Sequence, residues 1–215
     1  MNKEKTLITA HSGCENTLPN SREHIKAAIA SGAEMIEIDV RKDGDLLYLS
    51  HDVSDAPETC VSLDEFLDMI EPCENMRINF DVKTENLAAL VMEKVNLRNM
   101  SERAVFTGMC NEEKEIIEGL GGELWISLWP SHNNEADIMR AEKFCMEKEL
   151  SLINLHYSMI TKKDHERLKS KNLDFSAWTV DEEEEIVKLL EMGIFNITTR
   201  KPCLALKLRG EIQGK

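Results

Sequence analysis

Basic residues are scarce in this sequence, where 26 Lys and Arg stand against 40 Asp and Glu and give a formal net charge of −14. A surface this acidic repels polyanions, so we expect neither nucleic acid nor an anionic membrane as a partner. It repels small anionic molecules as well. A phosphate-binding site would therefore need local positive charge, from a bound metal ion or from lysine.

Long apolar runs and closely paired cysteines are also missing. No segment approaches the ~18 apolar residues of a membrane span, so we expect no stable membrane insertion. Residues 1–5 lead into a short apolar stretch and not into the core of a signal peptide. The absence of a C-x-x-C pair disfavours a zinc site, and the scatter of the cysteines disfavours a disulfide framework. We predict reduced thiols and a cytoplasmic location. The six cysteines are Cys14, Cys60, Cys73, Cys110, Cys145 and Cys203.

No linker, low-complexity segment or repeat interrupts the 215 residues, which predicts one domain spanning residues 1–215. Short apolar runs alternate with amphipathic helical patterns. The predicted strands are 6–11, 34–41, 77–83, 104–109, 124–128, 152–156, 174–180 and 194–199, and a hairpin arm follows the second at 46–51. The predicted helices are 20–31, 62–71, 87–99, 112–120, 135–148, 162–171 and 181–192, and a short tail ends the chain. Asn20 and Glu23 are predicted as the capping box of the first helix.

Eight strands that each precede a helix or helical turn favour an α/β fold of the (β/α)8, or TIM barrel, type. A doubly wound open sheet shares this alternation and is the structural alternative. Chemically useful side chains at the carboxyl ends of the predicted strands favour the barrel, because catalysis occurs at that rim. These residues are His11, Asp39, Asp81, Lys83, His156, Trp178 and Thr199.

Two carboxylates one residue apart, Glu37 and Asp39, lie within an otherwise apolar strand. Residues i and i+2 of a strand point to the same face, and two buried negative charges are strongly destabilising without a cation. Alone, the pair is explained equally well by salt bridges to Lys or Arg or by a metal ion. Asp81 adds a third carboxylate and favours an oxygen-ligated ion, Mg²⁺ or Ca²⁺. His11 and His51 could then act as general base and general acid, with Lys83 on a phosphate oxygen. These parts describe metal-assisted cleavage of a phosphodiester.

An ordered series of motifs over most of the chain resembles the glycerophosphodiester phosphodiesterase family. The motifs are His11-x-Gly13, Glu15-Asn16-Thr17, Gly32-Ala33-x-x-Ile36-Glu37-x-Asp39-Val40, Asp43-Gly44, His51-Asp52, Asp81-x-Lys83 and Trp178-Thr179-Val180-Asp181. The series is dense over residues 8–83 and sparser up to residue 202.

The resemblance implies a barrel of the phospholipase C-like phosphodiesterase type. It also implies one divalent cation held by Glu37, Asp39 and Asp81, with His11 and His51 as the acid/base pair. One histidine would deprotonate the glycerol hydroxyl of the substrate, which attacks phosphorus, and the other would protonate the leaving alcohol. Water would then open a cyclic phosphate and release glycerol phosphate, as part of lipid metabolism. The motifs do not say which histidine is the acid, and they favour no oligomeric state.

The sequence departs from the family at several positions. Ser12 replaces an arginine that contacts phosphate in the family, and Asp81 replaces a longer glutamate. Only residues 53–61 stand where most members insert a small subdomain. We therefore expect an open site, with Ser12, Lys83 and Trp178 as the candidates for substrate contact. Arg200 and Lys201 are further candidates to replace the missing arginine.

Less specific roles stay open for several of these residues. His11 could be a structural histidine, the His51-Asp52 step could cap a turn, and Trp178 could fill the barrel. Two other functions fit the same residues. One is a catalytically weakened barrel that binds a phosphorylated ligand, and the other is a lyase that releases a cyclic phosphate.

Overall fold

The computed structural model describes residues 5–131 and 134–214. Its strands are β1 (Leu7–Ala10), β2 (Met35–Asp43), β3 (Leu46–Leu49), β4 (Arg77–Val82), β5 (Ala104–Gly108), β6 (Glu123–Leu124), β7 (Ile126–Leu128), β8 (Leu152–His156), β9 (Asp174–Trp178) and β10 (Asn196–Thr199). Its α-helices are α1 (Arg22–Ser31), α2 (Leu63–Ile70), α3 (Ala88–Asn96), α4 (Lys114–Gly119), α5 (Asn134–Lys148), α6 (Lys162–Lys169), α7 (Glu183–Met192) and α8 (Pro202–Gln213).

The strands form a parallel barrel. β1 pairs with β2 on one side and with β10 on the other, and the order runs outward to β6 and to β7. β6 and β7 are two halves of one barrel strand, interrupted at Trp125, whose N–H donates to the carbonyl of Phe106 at 3.0 Å. β3 returns antiparallel along β2. The predicted (β/α)8 barrel, with a hairpin after its second strand, is confirmed.

The interior of the barrel is polar in its middle. Alternate strand residues point outward into the apolar layer under the helices, and the others point inward. The inward set begins with the apolar cluster of Met35, Val105, Trp125 and Leu152. Above it lies a layer of small polar side chains, all of them buried and hydrogen-bonded in two groups. One group is Thr9, Asn196, Ser176 and Asn154, and the other is Asn79 and Thr107. One end of this polar layer reaches Glu37, to which the Asn79 amide donates at 3.2 Å.

Two local predictions are wrong. Ser21, not Asn20, caps α1, since its hydroxyl accepts the His24 N–H at 3.1 Å. Asn20 instead takes a left-handed backbone with φ of 55° and turns its side chain into the barrel mouth. The predicted short tail is the helix α8, which begins at Pro202, a residue suited to the first turn of a helix.

The remaining helices follow the predicted ones within a few residues at each end. Ser62 and Thr161 cap α2 and α6 as their positions before the helices suggest, because each hydroxyl accepts a backbone N–H from the first turn. None of the helices in the described part of the chain is long and apolar enough to cross a membrane. All six cysteines are free thiols.

Candidate active site

The carboxyl ends of β1, β2 and β4 bring the predicted acidic residues together at one side of the barrel mouth. Glu37 and Asp39 both point inward from β2, and the strand register places Asp39 beside Asp81 of β4. Glu37 is 6 % exposed and Asp39 is 3 % exposed. The apolar residues that alternate with them face the helices, so this local sequence buries two carboxylates on the polar side of the same strand. These apolar residues are Ile36, Ile38 and Val40.

Lys83 lies between two of these carboxylates. Its ammonium is 2.9 Å from Asp39 Oδ1 and 2.5 Å from Asp81 Oδ2. Burial opposes the charge on Lys83, but the two carboxylates raise its pKa above the ordinary value. Burial likewise opposes the ionisation of Asp39, yet the Lys83 ammonium and a hydrogen bond from Asn20 lower its pKa. Asp39 and Lys83 are therefore both charged at neutral pH.

Glu37 is the least compensated member of the cluster. Its pKa is raised well above the ordinary value by burial first, and then by the charges of Asp81 and Asp39. The pKa of Asp81 is also raised, mainly by burial, while the charges of Lys83 and His51 act in the opposite direction. The Lys83 ammonium thus contacts two of the three carboxylates, and Glu37 has no such contact with it.

His11 lies at the end of β1 beside this cluster. Its Nε2 is 3.5 Å from Glu37 Oε1, and its Nδ1 is 2.7 Å from the carbonyl oxygen of Ser12. Because a carbonyl only accepts, Nδ1 must carry the proton, which leaves the Nε2 lone pair facing the cluster in the neutral ring. Burial lowers the pKa of His11 below its ordinary value. The ring is therefore neutral near pH 7 and able to accept a proton.

His51 lies on the loop that follows β3, and it is far more exposed than His11. Its side chain is 67 % exposed and its Nδ1 is 3.0 Å from Asp52 Oδ1. The structure thus places His51 near enough to affect the charge of Asp81, but not in contact with His11 or the carboxylates. Of the two histidines, His11 is thus enclosed beside Glu37, and His51 is open to solvent.

Arg41 holds the His51 loop, a role that the sequence analysis missed. Its guanidinium donates to the His51 carbonyl from Nε at 3.0 Å and from Nη2 at 2.7 Å, and Nη1 reaches the Lys83 carbonyl at 3.4 Å. Arg41 follows Asp39 by two residues, so strand periodicity was a signal that it shares the face of the cluster.

Asn20 is a second residue that the sequence analysis did not place at the site. Its side-chain amide donates to Asp39 Oδ2 at 2.7 Å, and its side-chain oxygen accepts the Asp39 N–H at 3.1 Å. The Asn20 N–H in turn donates to Ser12 Oγ at 3.1 Å. Ser12 is 2 % exposed and holds this loop from within, so its geometry argues against direct contact with substrate.

The other predicted contact residues lie around the mouth. Trp178 ends β9, half-buried, with its ring edge-on to His156 at 5.5 Å between centroids. Arg200 is paired with Asp181 at 2.7 Å, which leaves Lys83 as the basic side chain in contact with the acidic cluster. Within residues 5–131 and 134–214, no three His, Cys, Asp or Glu side chains are arranged closely enough to ligate a metal ion as they stand. In the described structure the Lys83 ammonium, and not a ligand shell, joins Asp39 to Asp81.

Comparison with known proteins identifies the fold. Neither a protein-family model nor a curated protein sequence matches the chain. Among solved structures, a provisionally named glycerophosphoryl diester phosphodiesterase from Agrobacterium tumefaciens has a TM-score of 0.86 at 18 % identity and covers 98 % of this chain and 100 % of its own. A glycerophosphodiester phosphodiesterase from Parabacteroides distasonis has a TM-score of 0.80 at 20 % identity, with 97 % and 98 % covered.

A phosphodiesterase from Oleispira antarctica, solved in complex with the product sn-glycerol-3-phosphate, has a TM-score of 0.74 at 16 % identity, with 95 % and 96 % covered. These structures share the whole length of the barrel with the chain, although fewer than a quarter of the residues are identical. The chain has the fold of the glycerophosphodiester phosphodiesterases of known structure, in agreement with the resemblance of its motifs.

Proposed function

We propose that this protein is a phosphoric diester hydrolase that cleaves glycerophosphodiesters to glycerol phosphate and an alcohol. The observation that carries the proposal is a neutral, enclosed His11 facing a buried carboxylate cluster at the mouth of a barrel of this fold. The substrate is a small molecule. The six free thiols agree with a cytoplasmic enzyme.

His11 is the better general base of the two histidines. Its Nδ1 proton is held by the Ser12 carbonyl, so the Nε2 lone pair can take the proton of the substrate's glycerol hydroxyl. The hydroxyl oxygen then attacks phosphorus and the bond to the leaving alcohol breaks. His51, which is exposed to solvent, gives its proton to that leaving oxygen. Water opens the resulting cyclic phosphate, with the proton transfers reversed.

The acidic cluster is the proposed site of one divalent cation, Mg²⁺ or Ca²⁺, held by Glu37, Asp39 and Asp81. All three donors are carboxylate oxygens, which such hard cations prefer, and the pKa of Glu37 is raised by burial first and then by the charges of Asp81 and Asp39. The ion would supply positive charge to the phosphate oxygens. Lys83 is the proposed protein group for a phosphate oxygen, and Trp178 forms a wall of the mouth.

Turnover assays test this function directly. The purified protein is incubated with glycerophosphocholine, glycerophosphoethanolamine or glycerophosphoglycerol, with Mg²⁺ or Ca²⁺ and with a chelator. We expect glycerol phosphate to form with metal and not with chelator. No glycerol phosphate from any of the three substrates at high enzyme concentration would overturn the proposal.

A second candidate is a barrel that binds a phosphorylated ligand without turnover. The observation in its favour is the Lys83 bridge, which already occupies Asp39 and Asp81, together with serine in place of arginine at position 12. Calorimetric binding of glycerol phosphate in the absence of turnover would support this candidate. A stable cyclic phosphate detected by phosphorus NMR would instead indicate a lyase.

A further inference from the structure

A separate recess of about 350 Å³ opens at the rim of the barrel beside the acidic cluster. It lies between the loops that follow β4, β5 and β7. Gly108 forms the boundary with the cluster, because a Cβ at this position would collide with the Asp81 carboxylate. The recess, which we call the rim recess, is therefore adjacent to the place where the scissile phosphate is proposed to bind. Besides Gly108, its lining residues are Glu85, Asn86, Met109, Asn111, Glu112, Glu113 and Trp129.

The rim recess combines apolar side chains with carboxylates. Trp129 is 51 % exposed and Met109 is 47 % exposed, which is unusual for such large apolar residues. The charged side chains that line the recess in the described structure are all carboxylates. An aromatic face beside carboxylates attracts organic cations, because the ring quadrupole and the negative charge act in the same direction. The same surroundings repel a phosphate or a carboxylate ligand.

Glu113 is an independent sign that a cation belongs here. It is only 7 % exposed, and its Oε2 accepts the Ala88 N–H at 3.1 Å where α3 begins. The other oxygen, Oε1, is buried and has no hydrogen-bond partner in the described structure. A buried carboxylate oxygen without a partner is destabilising, and a cationic ligand would relieve that cost.

The chain that leads to Trp129 is anchored at Ser127. The side chain of Asn111 donates to the Ser127 carbonyl at 3.0 Å and accepts the Ser127 N–H at 2.9 Å. This two-way pairing anchors the chain two residues before Trp129 and ties it to the loop that carries Glu112 and Glu113. The segment that carries Trp129 and the loop that carries the carboxylates are thus joined to each other.

We propose that the rim recess binds the positively charged end of the substrate's leaving alcohol, a quaternary or primary ammonium group. The inference depends on the proposed function and narrows it to zwitterionic glycerophosphodiesters, whose phosphate would lie at the acidic cluster and whose ammonium would lie against Trp129. An acidic protein with a carboxylate-lined recess selects such substrates over those with a neutral leaving alcohol.

Substrate pairs separate this role from a structural one. Glycerophosphocholine carries the ammonium group and glycerophosphoglycerol does not. For Trp129→Leu and Glu113→Gln we expect KM for glycerophosphocholine to rise about 3- to 30-fold, the range of a lost cation–π or charge contact. KM for glycerophosphoglycerol should stay within about 2-fold. Glutamine keeps an oxygen for the Ala88 N–H, and Glu93→Gln, on the exposed side of α3, is the matched control.

An equal change for both substrates, or no change for either, would overturn the proposal. A second measurement keeps the test independent of the proposed function. Calorimetric titration of the wild-type protein with choline should show binding that Trp129→Leu weakens by a similar factor. If the protein binds choline in this way but hydrolyses none of the substrates, the proposed function is wrong and ammonium binding by the rim recess is supported. If the enzyme is active but choline does not bind, or binds equally well to Trp129→Leu, the proposed role of the rim recess is wrong and the proposed function is not affected.

Discussion

Replacing Glu37 by glutamine should make the protein more stable without divalent metal while it removes the activity. Glu37 is buried near Asp39 and Asp81, and the Lys83 ammonium pairs with those two carboxylates and not with Glu37. Glutamine has nearly the same shape and keeps an oxygen for the hydrogen bond from Asn79. The substitution therefore removes a buried charge that its surroundings do not neutralise and changes little else.

The size of the effect follows from the cost of a poorly compensated buried polar group, about 1–3 kcal/mol. For a domain of this length, 1 kcal/mol corresponds to roughly 2–4 °C in Tm, so the gain should be about 2–12 °C. Its pH dependence has a definite sign. The folded-state pKa of Glu37 lies above its ordinary value of 4.5, so the folded protein holds more protons than the unfolded chain between the two values. Wild-type stability must fall as the pH rises through that window.

Thermal unfolding by circular dichroism, in chelator at pH 8 and again below pH 4.5, measures this directly. Glu37→Gln should exceed the wild type at pH 8 and lose its advantage in acid, where the wild-type carboxyl is protonated. The exposed Glu93→Gln variant should match the wild type at both pH values. Added Mg²⁺ or Ca²⁺ at about 100 times Kd should raise the unfolding free energy of the wild type by about 2.7 kcal/mol, and that of Glu37→Gln by far less. An unchanged or lower Tm for Glu37→Gln at pH 8 would refute the reasoning.

Three further predictions concern the histidines and the loops that hold them. His11→Ala and His51→Ala should each lower kcat by about 10²–10⁴. The wild-type rate should fall as the pH drops through the lowered pKa of His11, because a protonated His11 cannot act as the base. Unchanged rates in both variants would rule out the mechanism. Ser12→Arg should lower the unfolding free energy by about 1–3 kcal/mol, because it overpacks a buried site and removes the acceptor of the Asn20 N–H. Denaturant titration measures this change. A variant that is as stable as the wild type and has a lower KM would contradict the prediction. Arg41→Lys keeps the positive charge but loses the two hydrogen bonds to the His51 carbonyl. We therefore expect kcat to fall roughly 10- to 100-fold with little change in Tm. A kcat equal to that of the wild type would show that His51 is positioned without Arg41.

The barrel and its acidic cluster were predictable because they depend on local patterns. Apolar runs mark the strands, and period-two spacing places Glu37 and Asp39 on one face. The carboxyl ends of parallel strands then meet at one rim, which brings Asp81 beside Asp39. The ends of the strands and helices were predicted less closely than their existence, because the last residues of an element depend on contacts with the rest of the fold.

The residues that hold the cluster were missed because their roles arise from long-range contacts. Asn20 has the residue type and spacing of a helix cap, and so does Ser21. Only the left-handed backbone at Asn20 turns its amide towards Asp39. Arg41 and Pro202 did carry signals, a shared strand face and a preferred position in the first turn of a helix. The break at Trp125 had no such signal, because it reflects how the two halves of one strand pair with different neighbours.

Metal and phosphate binding should be coupled through Lys83. The Arg41 guanidinium is hydrogen-bonded to the carbonyls of His51 and Lys83, and Arg200 is paired with Asp181. Neither arginine is therefore expected to replace the phosphate contact of the arginine that Ser12 replaces. Lys83 is the basic side chain in contact with the cluster, and two of the three N–H donors of its ammonium are engaged by Asp39 and Asp81. With a divalent ion held by those carboxylates, Lys83 would be freer to donate to a phosphate oxygen, because like charges repel at short range. As the metal concentration rises, we therefore expect both the rate and the apparent affinity for substrate to increase.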